Sequence, residues 1–162
     1  MANERKRLKE LKRRYGRLAE SMEPYYHHLD LRPLWELNDD GFAFLMEKVK
    51  GVNMLDLNET EITDASISLL TKLEYVKEIR VKGCRQLTDA CIDDLNRIRE
   101  LEFLHVKGTR ITIDGLLRLT EQPNLKTLLF SDDHPELIAD KIQQLLAMFP
   151  ECEIALDGTP LR

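Results

Sequence analysis

Hydrophobic and polar positions in this chain follow a phrase that returns about every 25 residues. Three copies, which begin at Val52, Val76 and Leu101, have an apolar–x–apolar pair, then a turn that contains threonine, then a helical stretch. Including two later copies, the pairs are Leu55/Leu57, Ile79/Val81, Leu104/Val106, Leu128/Phe130 and Ile154/Leu156. The second residues of successive pairs lie 24, 25, 24 and 26 positions apart. The pairs predict short strands, and the apolar spacings that follow them predict helices.

A period of 20–29 residues with this pattern is typical of leucine-rich repeats. The sequence therefore predicts an α/β fold, a short leucine-rich repeat solenoid with a parallel concave sheet of about five to six strands. Helices are expected on the convex side, and Thr63, Thr88 and Thr112 are placed to cap the starts of three of them. Stacked units bury their core against each other, which leaves the concave sheet face open to a partner.

The predicted organisation has four parts. They are a basic amphipathic helical arm at 1–24, an N-terminal capping repeat at 25–51, leucine-rich repeats at 52–131, and a C-terminal capping helix and strand at 132–162. In the arm, Leu8, Leu11, Tyr15 and Leu18 form one apolar stripe of a helix. In the capping repeat, Asn38 is the expected N-cap of a helix.

The C-terminal part differs from the repeats. Pro135 suits the start of a helix, and Pro150 is expected to end it. Ile138, Ile142, Leu145 and Phe149 supply the apolar stripe of that helix. A last strand from about Cys152 to Leu156 is expected to close the sheet, with 158–162 as a short tail.

Charge is distributed unevenly along the chain. The basic residues of the arm are Arg5, Lys6, Arg7, Lys9, Lys12, Arg13, Arg14 and Arg17. With three acidic residues they give 1–22 a net charge of +5, and since the whole chain carries −5, residues 23–162 carry −10. Three interpretations of the arm stay open: a helix packed on the first repeat, a docking element for an acidic protein, RNA or anionic lipid, or a targeting segment.

The side chains that alternate with the buried strand residues are expected on the concave face. The candidate partner-binding residues there are Met54, Asp56, Glu78, Arg80, Lys82, Phe103, His105 and Lys107. Exposed aromatic side chains and arginine are typical of protein interfaces. This surface is therefore the predicted docking site for a protein partner.

The sequence shows no motif that indicates catalysis. It has no Gly-rich phosphate loop, GxSxG or HExxH motif, and no paired carboxylates at a recognised spacing, so we expect neither an enzyme nor a small-molecule substrate or cofactor. His27 and His28 with Asp30 are the only tight histidine cluster, and they lack a second ligand group, so no metal is expected.

Two further features bear on where the protein works. No apolar stretch approaches ~18 residues and no signal-peptide core follows the first residues, so neither a membrane-spanning helix nor secretion is expected. The cysteines Cys84, Cys91 and Cys152 are an odd number, which favours reduced thiols in an intracellular compartment. Cys84 stands where equivalent repeats have Thr60 and Thr109, so packing is favoured over a redox pair with Cys91.

Several segments resemble known repeat proteins. The run from Gly83 to Cys91 resembles the cysteine-containing subtype of leucine-rich repeat known from F-box-type substrate receptors. The segments 73–84, 124–132 and 149–156, with the spacing of Cys84 and Cys91, are similar to mitochondrial ATP synthase coupling factor B (subunit s) and the related assembly factor of the distal membrane arm of complex I. The N-terminal region does not match that group, so its metal ligands are not carried over.

The resemblance implies a non-catalytic accessory or assembly subunit of a respiratory or ATP synthase-like complex. Such a protein would meet a membrane-embedded complex through the soluble face of that complex. Its compartment would be the mitochondrial matrix in a eukaryote and otherwise the cytoplasm. An adaptor for substrate recognition and a nucleic-acid-associated, ribosome-like accessory protein that uses the basic arm stay open as alternatives. The adaptor role would normally need an F-box, and 1–51 shows no convincing one.

Overall fold

The protein is an α/β structure built on one seven-stranded sheet, seen in a computed structural model that describes all residues 1–162. The strands are β1 (Tyr25–Asp30), β2 (Gly51–Asp56), β3 (Tyr75–Arg80), β4 (Phe103–His105), β5 (Thr127–Phe130), β6 (Glu153–Leu156) and β7 (Thr159–Pro160). The helices are α1 (Ala2–Glu20), α2 (Asp39–Met46), α3 (Asp64–Leu70), α4 (Ile92–Arg97), α5 (Ile113–Leu116) and α6 (Ala139–Met148). Short 3₁₀ turns at Asp89–Cys91 and Pro135–Leu137 precede α4 and α6.

The strands lie side by side in chain order, and β1 to β6 run parallel. Their register aligns one buried residue of each strand in a single row, Leu29, Leu55, Ile79, Leu104, Leu128 and Ile154. Helix residues such as Phe42, Leu45 and Leu70 belong to the same buried cluster. The core therefore lies between the sheet and the helices, and it is continuous along the molecule.

The C-terminus corrects the predicted strand count of five to six. The segment 158–162, expected to be a tail, folds back as β7, antiparallel to β6. Asp157 and Gly158 have φ values of 50° and 85°, which is the backbone of a tight hairpin turn. The Arg162 guanidinium donates to the carbonyls of Leu146 and Cys152, both at 3.2 Å, which fastens the hairpin to the end of α6.

The predicted helix caps are confirmed, and the three threonine caps are also linked to the preceding unit. Asn38 and the three cap threonines accept bonds from backbone N–H groups of their own helices. Each threonine also donates its hydroxyl to an aspartate in the first turn of the preceding helix. These pairs form an aspartate–threonine ladder, Asp39–Thr63 at 2.5 Å, Asp64–Thr88 at 2.6 Å and Asp89–Thr112 at 2.6 Å. The ladder connects one strand–helix unit to the next.

Helix α1 packs against α2 at one end of the molecule. Tyr15 is buried and contacts Gly41, where an added Cβ would lie 2.7 Å from its ring. Leu11 is half-buried, but Leu8 and Leu18 are 46% and 37% exposed, so only the middle of the predicted apolar stripe is used. Of the three interpretations of the arm, the helix packed on the first strand–helix unit is the one that matches the position of α1. None of the helices combines the length and apolar character that crossing a membrane requires.

Candidate partner-binding surface

The predicted partner-binding residues lie together on the sheet face opposite the helices. In one row Met54, Glu78 and Phe103 are neighbours across β2, β3 and β4, and in the next Asp56, Arg80 and His105 are neighbours. Lys82 and Lys107 follow β3 and β4, where Gly83 N donates to the Lys107 carbonyl at 2.9 Å. We call this set of residues the open sheet face.

Arg80 and Phe103 form the centre of the open sheet face. The Arg80 guanidinium carbon lies 4.5 Å from the centroid of the Phe103 ring, a cation–π distance, and its Nη2 donates to Glu78 at 2.9 Å. Arg80 Nε is buried without a hydrogen-bond partner. The His105 ring meets Phe103 edge to face at 6.4 Å. Arginine and aromatic side chains are residue types enriched at the energetic centres of protein interfaces.

Basic side chains surround the His105 ring at the centre of this face. Burial lowers the pKa of His105 from its ordinary value, and Lys82, Arg80 and Lys107 lower it further, while Asp56 opposes them. A depressed pKa means that the ring is mostly neutral near pH 7. His105 therefore reports that positive charge converges on it from both β3 and β4.

Asp56 lies in the predicted row but is not available to a partner, which corrects the expectation for that residue. It is only 4% exposed, because Arg32 covers it with Nε 3.4 Å from its carboxylate. Arg32 also holds Asp30 in two bonds of 2.9 and 2.8 Å, which lowers the pKa of Asp30 to about 2. The β1 end of the face is thus neutralised within the protein. The spacing of Asp30 and Arg32, two positions apart on a strand, was the sequence signal for this pair.

A cavity of about 590 Å³ lies beside the open sheet face at its C-terminal end. Its lining includes Thr127 and Leu129 of β5, Ala155 of β6, Pro160 of β7 and Arg162. This cavity could not be predicted from the sequence, because Pro160 and Arg162 belong to the hairpin that was expected to be a tail.

The basic residues of the arm divide into paired and unpaired groups. Arg7 and Arg14 reach Asp40 and Glu36 on the body of the protein, the latter pair at 2.8 Å. Arg13 bonds Glu10 within α1 and thereby lowers the pKa of that carboxyl. The remaining basic side chains, Arg5, Lys6, Lys9, Lys12 and Arg17, are exposed and belong to none of the ion pairs of α1.

The cysteines are free and buried, which fits the packing interpretation of Cys84. Cys84 Sγ lies 3.1 Å from the Leu57 carbonyl, and burial raises its pKa. Burial likewise raises the pKa of Cys91, and that of Cys152 to about 11. These thiols are protonated near neutral pH and are therefore poor nucleophiles.

The histidines do not gather into a metal centre, and no group of three or more His, Cys, Asp or Glu side chains could hold an ion. His27 Nδ1 lies 3.2 Å from the Asn53 amide, and Asp30 is engaged by Arg32. Comparison of the chain with protein-family models and with curated proteins found no match in either case.

Proposed function

We propose that this protein is a non-catalytic protein–protein interaction scaffold, an accessory or assembly subunit of a larger complex. It docks through the open sheet face, and α1 provides a second contact. The observation that carries the proposal is the Arg80–Phe103–His105 patch, which lies beside Lys82 and Lys107 on the sheet face opposite the helices. Aromatic and arginine side chains are the residue types that dominate binding energy in protein interfaces.

The proposal includes a leucine-rich repeat solenoid in which the open sheet face is concave. Three observations support this architecture: the regular steps between strands, the parallel order of β1 to β6, and the aspartate–threonine ladder. A solenoid leaves one long sheet surface free, since each unit buries its core against its neighbours.

For the partner, we propose a respiratory or ATP synthase-like complex, met at its soluble face. The support is the resemblance of 73–84, 124–132 and 149–156 to the coupling factor B group, to which the comparisons add nothing. The corresponding compartment is the mitochondrial matrix in a eukaryote and otherwise the cytoplasm.

Affinity capture of the tagged protein from the cells that produce it tests this proposal. The double variant Arg80→Ala with Phe103→Ala removes the central patch. Its affinity for the specific partners should therefore fall about tenfold or more. The matched control is Lys72→Ala with Arg85→Ala, at two exposed basic positions outside the strands. The variants must unfold at the same temperature as the wild-type protein for the comparison to be valid. If the Arg80–Phe103 variant captured as much of the partners as the wild-type protein, the proposal would be contradicted.

A nucleic-acid-associated role is the second candidate, and the unpaired basic side chains of α1 favour it. Substituting Lys6, Lys9, Lys12 and Arg17 with glutamine tests this role without exposing the core that Tyr15 covers. If α1 binds nucleic acid, affinity should fall steeply with added salt, because phosphate contacts release counterions. A weak salt dependence that is unchanged in the glutamine variant would exclude this role for the arm.

A further inference from the structure

Positive charge is least compensated in the middle of the open sheet face. At the β1 end, Asp30 and Asp56 are both paired with Arg32. In the middle, Arg80 is paired with Glu78 at 2.9 Å, and Lys107 forms the longest ion pair of this face, 3.9 Å from Asp157. Lys82 is exposed and takes part in none of the ion pairs of this face. Lys82 therefore presents its charge to whatever covers the face, and the long contact of Lys107 with Asp157 leaves that ammonium group open to a second carboxylate.

A recess lies in the same sheet surface, and its lining combines apolar side chains with Glu151, Glu153 and Arg162. In the sheet register, His105 is the neighbour of Leu129, and Leu129 is the neighbour of Ala155. Strands in a sheet are ~4.8 Å apart, so these two side chains lie roughly 5 and 10 Å from the His105 position. Both line the cavity of about 590 Å³, which is large enough for a big apolar side chain.

We propose that the open sheet face binds an extended acidic segment of the partner protein. Carboxylates of that segment pair with Lys82 and Lys107, and an apolar side chain fills the cavity over Leu129 and Ala155. An extended chain rises ~3.3 Å per residue, so two or three residues separate the acidic and apolar positions of the segment. This inference rests on the proposed docking role of the face and specifies the chemistry of the partner.

A nucleic acid fits this surface less well than an acidic peptide. Single-stranded nucleic acids bind by stacking bases on aromatic faces along a track of cations. The Phe103 ring is already covered by Arg80, and the one other ring of the open sheet face is the imidazole of His105, which meets Phe103 edge to face.

Binding of an acidic segment should be linked to proton uptake by His105. The charged groups that face this ring are Arg80, Lys82 and Asp56 from the neighbouring strands and Lys107 from its own segment, and the basic ones oppose its protonation. Carboxylates placed on the lysines would offset that field and raise the pKa of His105 toward its ordinary value of about 6.5. Affinity should therefore increase as the pH falls from 7 toward 6.

The test is a nuclear magnetic resonance titration of the full-length protein with short peptides. The probe is a Gly/Ser-based peptide with a Glu-Glu pair followed, after two residues, by leucine. Three comparison peptides replace Glu-Glu by Gln-Gln, replace Glu-Glu by Lys-Lys, or replace leucine by serine. The Glu/Leu probe should shift the amide signals of Lys82, His105, Lys107 and Leu129, and each of the three replacements should weaken binding.

Variants of the protein show which side chains bind the Glu/Leu probe. Lys82→Gln with Lys107→Gln should weaken the Glu/Leu probe about tenfold, since two exposed charge pairs are lost. Lys72→Gln with Arg85→Gln changes the net charge equally, and it should leave binding unchanged. The imidazole signals of His105 should titrate at higher pH in the wild-type complex than in the free protein.

Each negative outcome of the titration contradicts a different part of the proposal. No shift on the open sheet face with the Glu/Leu probe at about 1 mM would overturn the acidic-segment proposal, as would shifts confined to α1. If the Gln or Lys peptide bound this face as well as the Glu/Leu probe, the docking role would stand and the acidic chemistry would fail. If an oligouridylate bound the face more tightly than the Glu/Leu probe, the partner class would be wrong. The docking role itself is judged separately, by the capture experiment with Arg80→Ala and Phe103→Ala.

Discussion

At the scale of single residues, the aspartate–threonine ladder explains why the turn residues recur. A threonine at the N-cap satisfies a backbone N–H of its own helix, and its hydroxyl and backbone N–H bond the aspartate of the preceding unit. One side chain thus joins local helix formation to the stacking of units. The ladder stops at Asp114, whose partner is Lys141 at 2.9 Å instead of a threonine.

Replacing a ladder threonine should cost more stability than replacing a threonine outside it. Thr88→Val removes the hydroxyl that binds Asp64 at 2.6 Å and caps the 3₁₀ turn, so we expect a loss of about 1–3 kcal/mol in the free energy of unfolding. The control is Thr71→Val, since that hydroxyl bonds only the Ser68 carbonyl of its own turn. Urea denaturation measures both, and equal losses would contradict a role for the ladder.

The ladder also predicts how stability depends on pH. Burial alone would raise the pKa of Asp39, but hydrogen bonds from Ser66 and Thr63 outweigh it and lower the pKa below the ordinary value. A depressed pKa stabilises the fold above the unfolded-state value of about 3.9, and this contribution is lost as the pH falls through the folded-state pKa.

Asp39→Asn should therefore lower stability by about 1–3 kcal/mol at pH 7, because charge-assisted bonds to Thr63 and Ser66 are lost. The difference from wild type should shrink below about pH 4. Urea denaturation from pH 3 to 7 checks this, and a difference that stays constant with pH would show that the charge of Asp39 is not what stabilises the fold.

Sequence alone predicted much at this scale, and its failures have physical reasons. Asn38 and the cap threonines were recognised because capping depends on neighbours in the chain. The burial of Asp56 was missed, because its cover by Arg32 joins side chains 24 positions apart and depends on strand register. Alternation along a strand identifies the face on which a side chain lies, but not whether another side chain covers it.

At the scale of elements, α1 illustrates the same limit. The apolar stripe predicted the helix, yet a periodic stripe does not state how much of it a neighbour will cover. The structure buries Tyr15 against Gly41 of α2 and leaves Leu8 and Leu18 partly exposed. Arg14 also forms an ion pair with Glu36. The basic arm is therefore held by an apolar contact and by an ion pair with the acidic body of the protein.

A pair of glycine substitutions tests the packing of α1. In Gly41→Ala the new Cβ would lie 2.7 Å from the Tyr15 ring, so the ring must move, and overpacking should cost about 1–3 kcal/mol. That cost exceeds the gain of about 0.5–1 kcal/mol from better helix propensity. Gly16→Ala, which has nothing within 4 Å, should show only the gain.

Thermal unfolding and amide hydrogen exchange of α1 measure the effect. Gly41→Ala should lower the melting temperature and speed exchange in α1, whereas Gly16→Ala should slow it. Equal, favourable effects of both substitutions would mean that α1 does not rest on α2 as described.

At the scale of the whole molecule, the repeat period predicted the parallel order of the strands. It did not predict the hairpin at the end of the chain. The tail becomes β7 because the positive φ values at Asp157 and Gly158 reverse the chain and Arg162 anchors it. The carbonyls for that anchor come together only when α6 and the turn after it have folded. The cavity beside the open sheet face, which depends on the hairpin, was therefore not visible in the sequence.

The open sheet face and α1 are the two surfaces that we assign to partners, and both carry lysines, in different surroundings. Lys82 and Lys107 stand among an arginine, a phenylalanine and a histidine, whereas Lys6, Lys9 and Lys12 belong to an exposed basic helix. The two sets of lysines can be distinguished chemically in a single experiment, since each reacts with an acylating reagent according to its exposure.

The most direct test of the docking surface is lysine acylation of the protein, free and in the complex captured from its cells, read by mass spectrometry. We expect Lys82 and Lys107 to react several-fold more slowly in the complex, while Lys72, in the turn before β3, reacts at an unchanged rate. Protection confined to Lys6, Lys9 and Lys12, with Lys82 and Lys107 as reactive as in the free protein, would contradict it and assign the interface to α1.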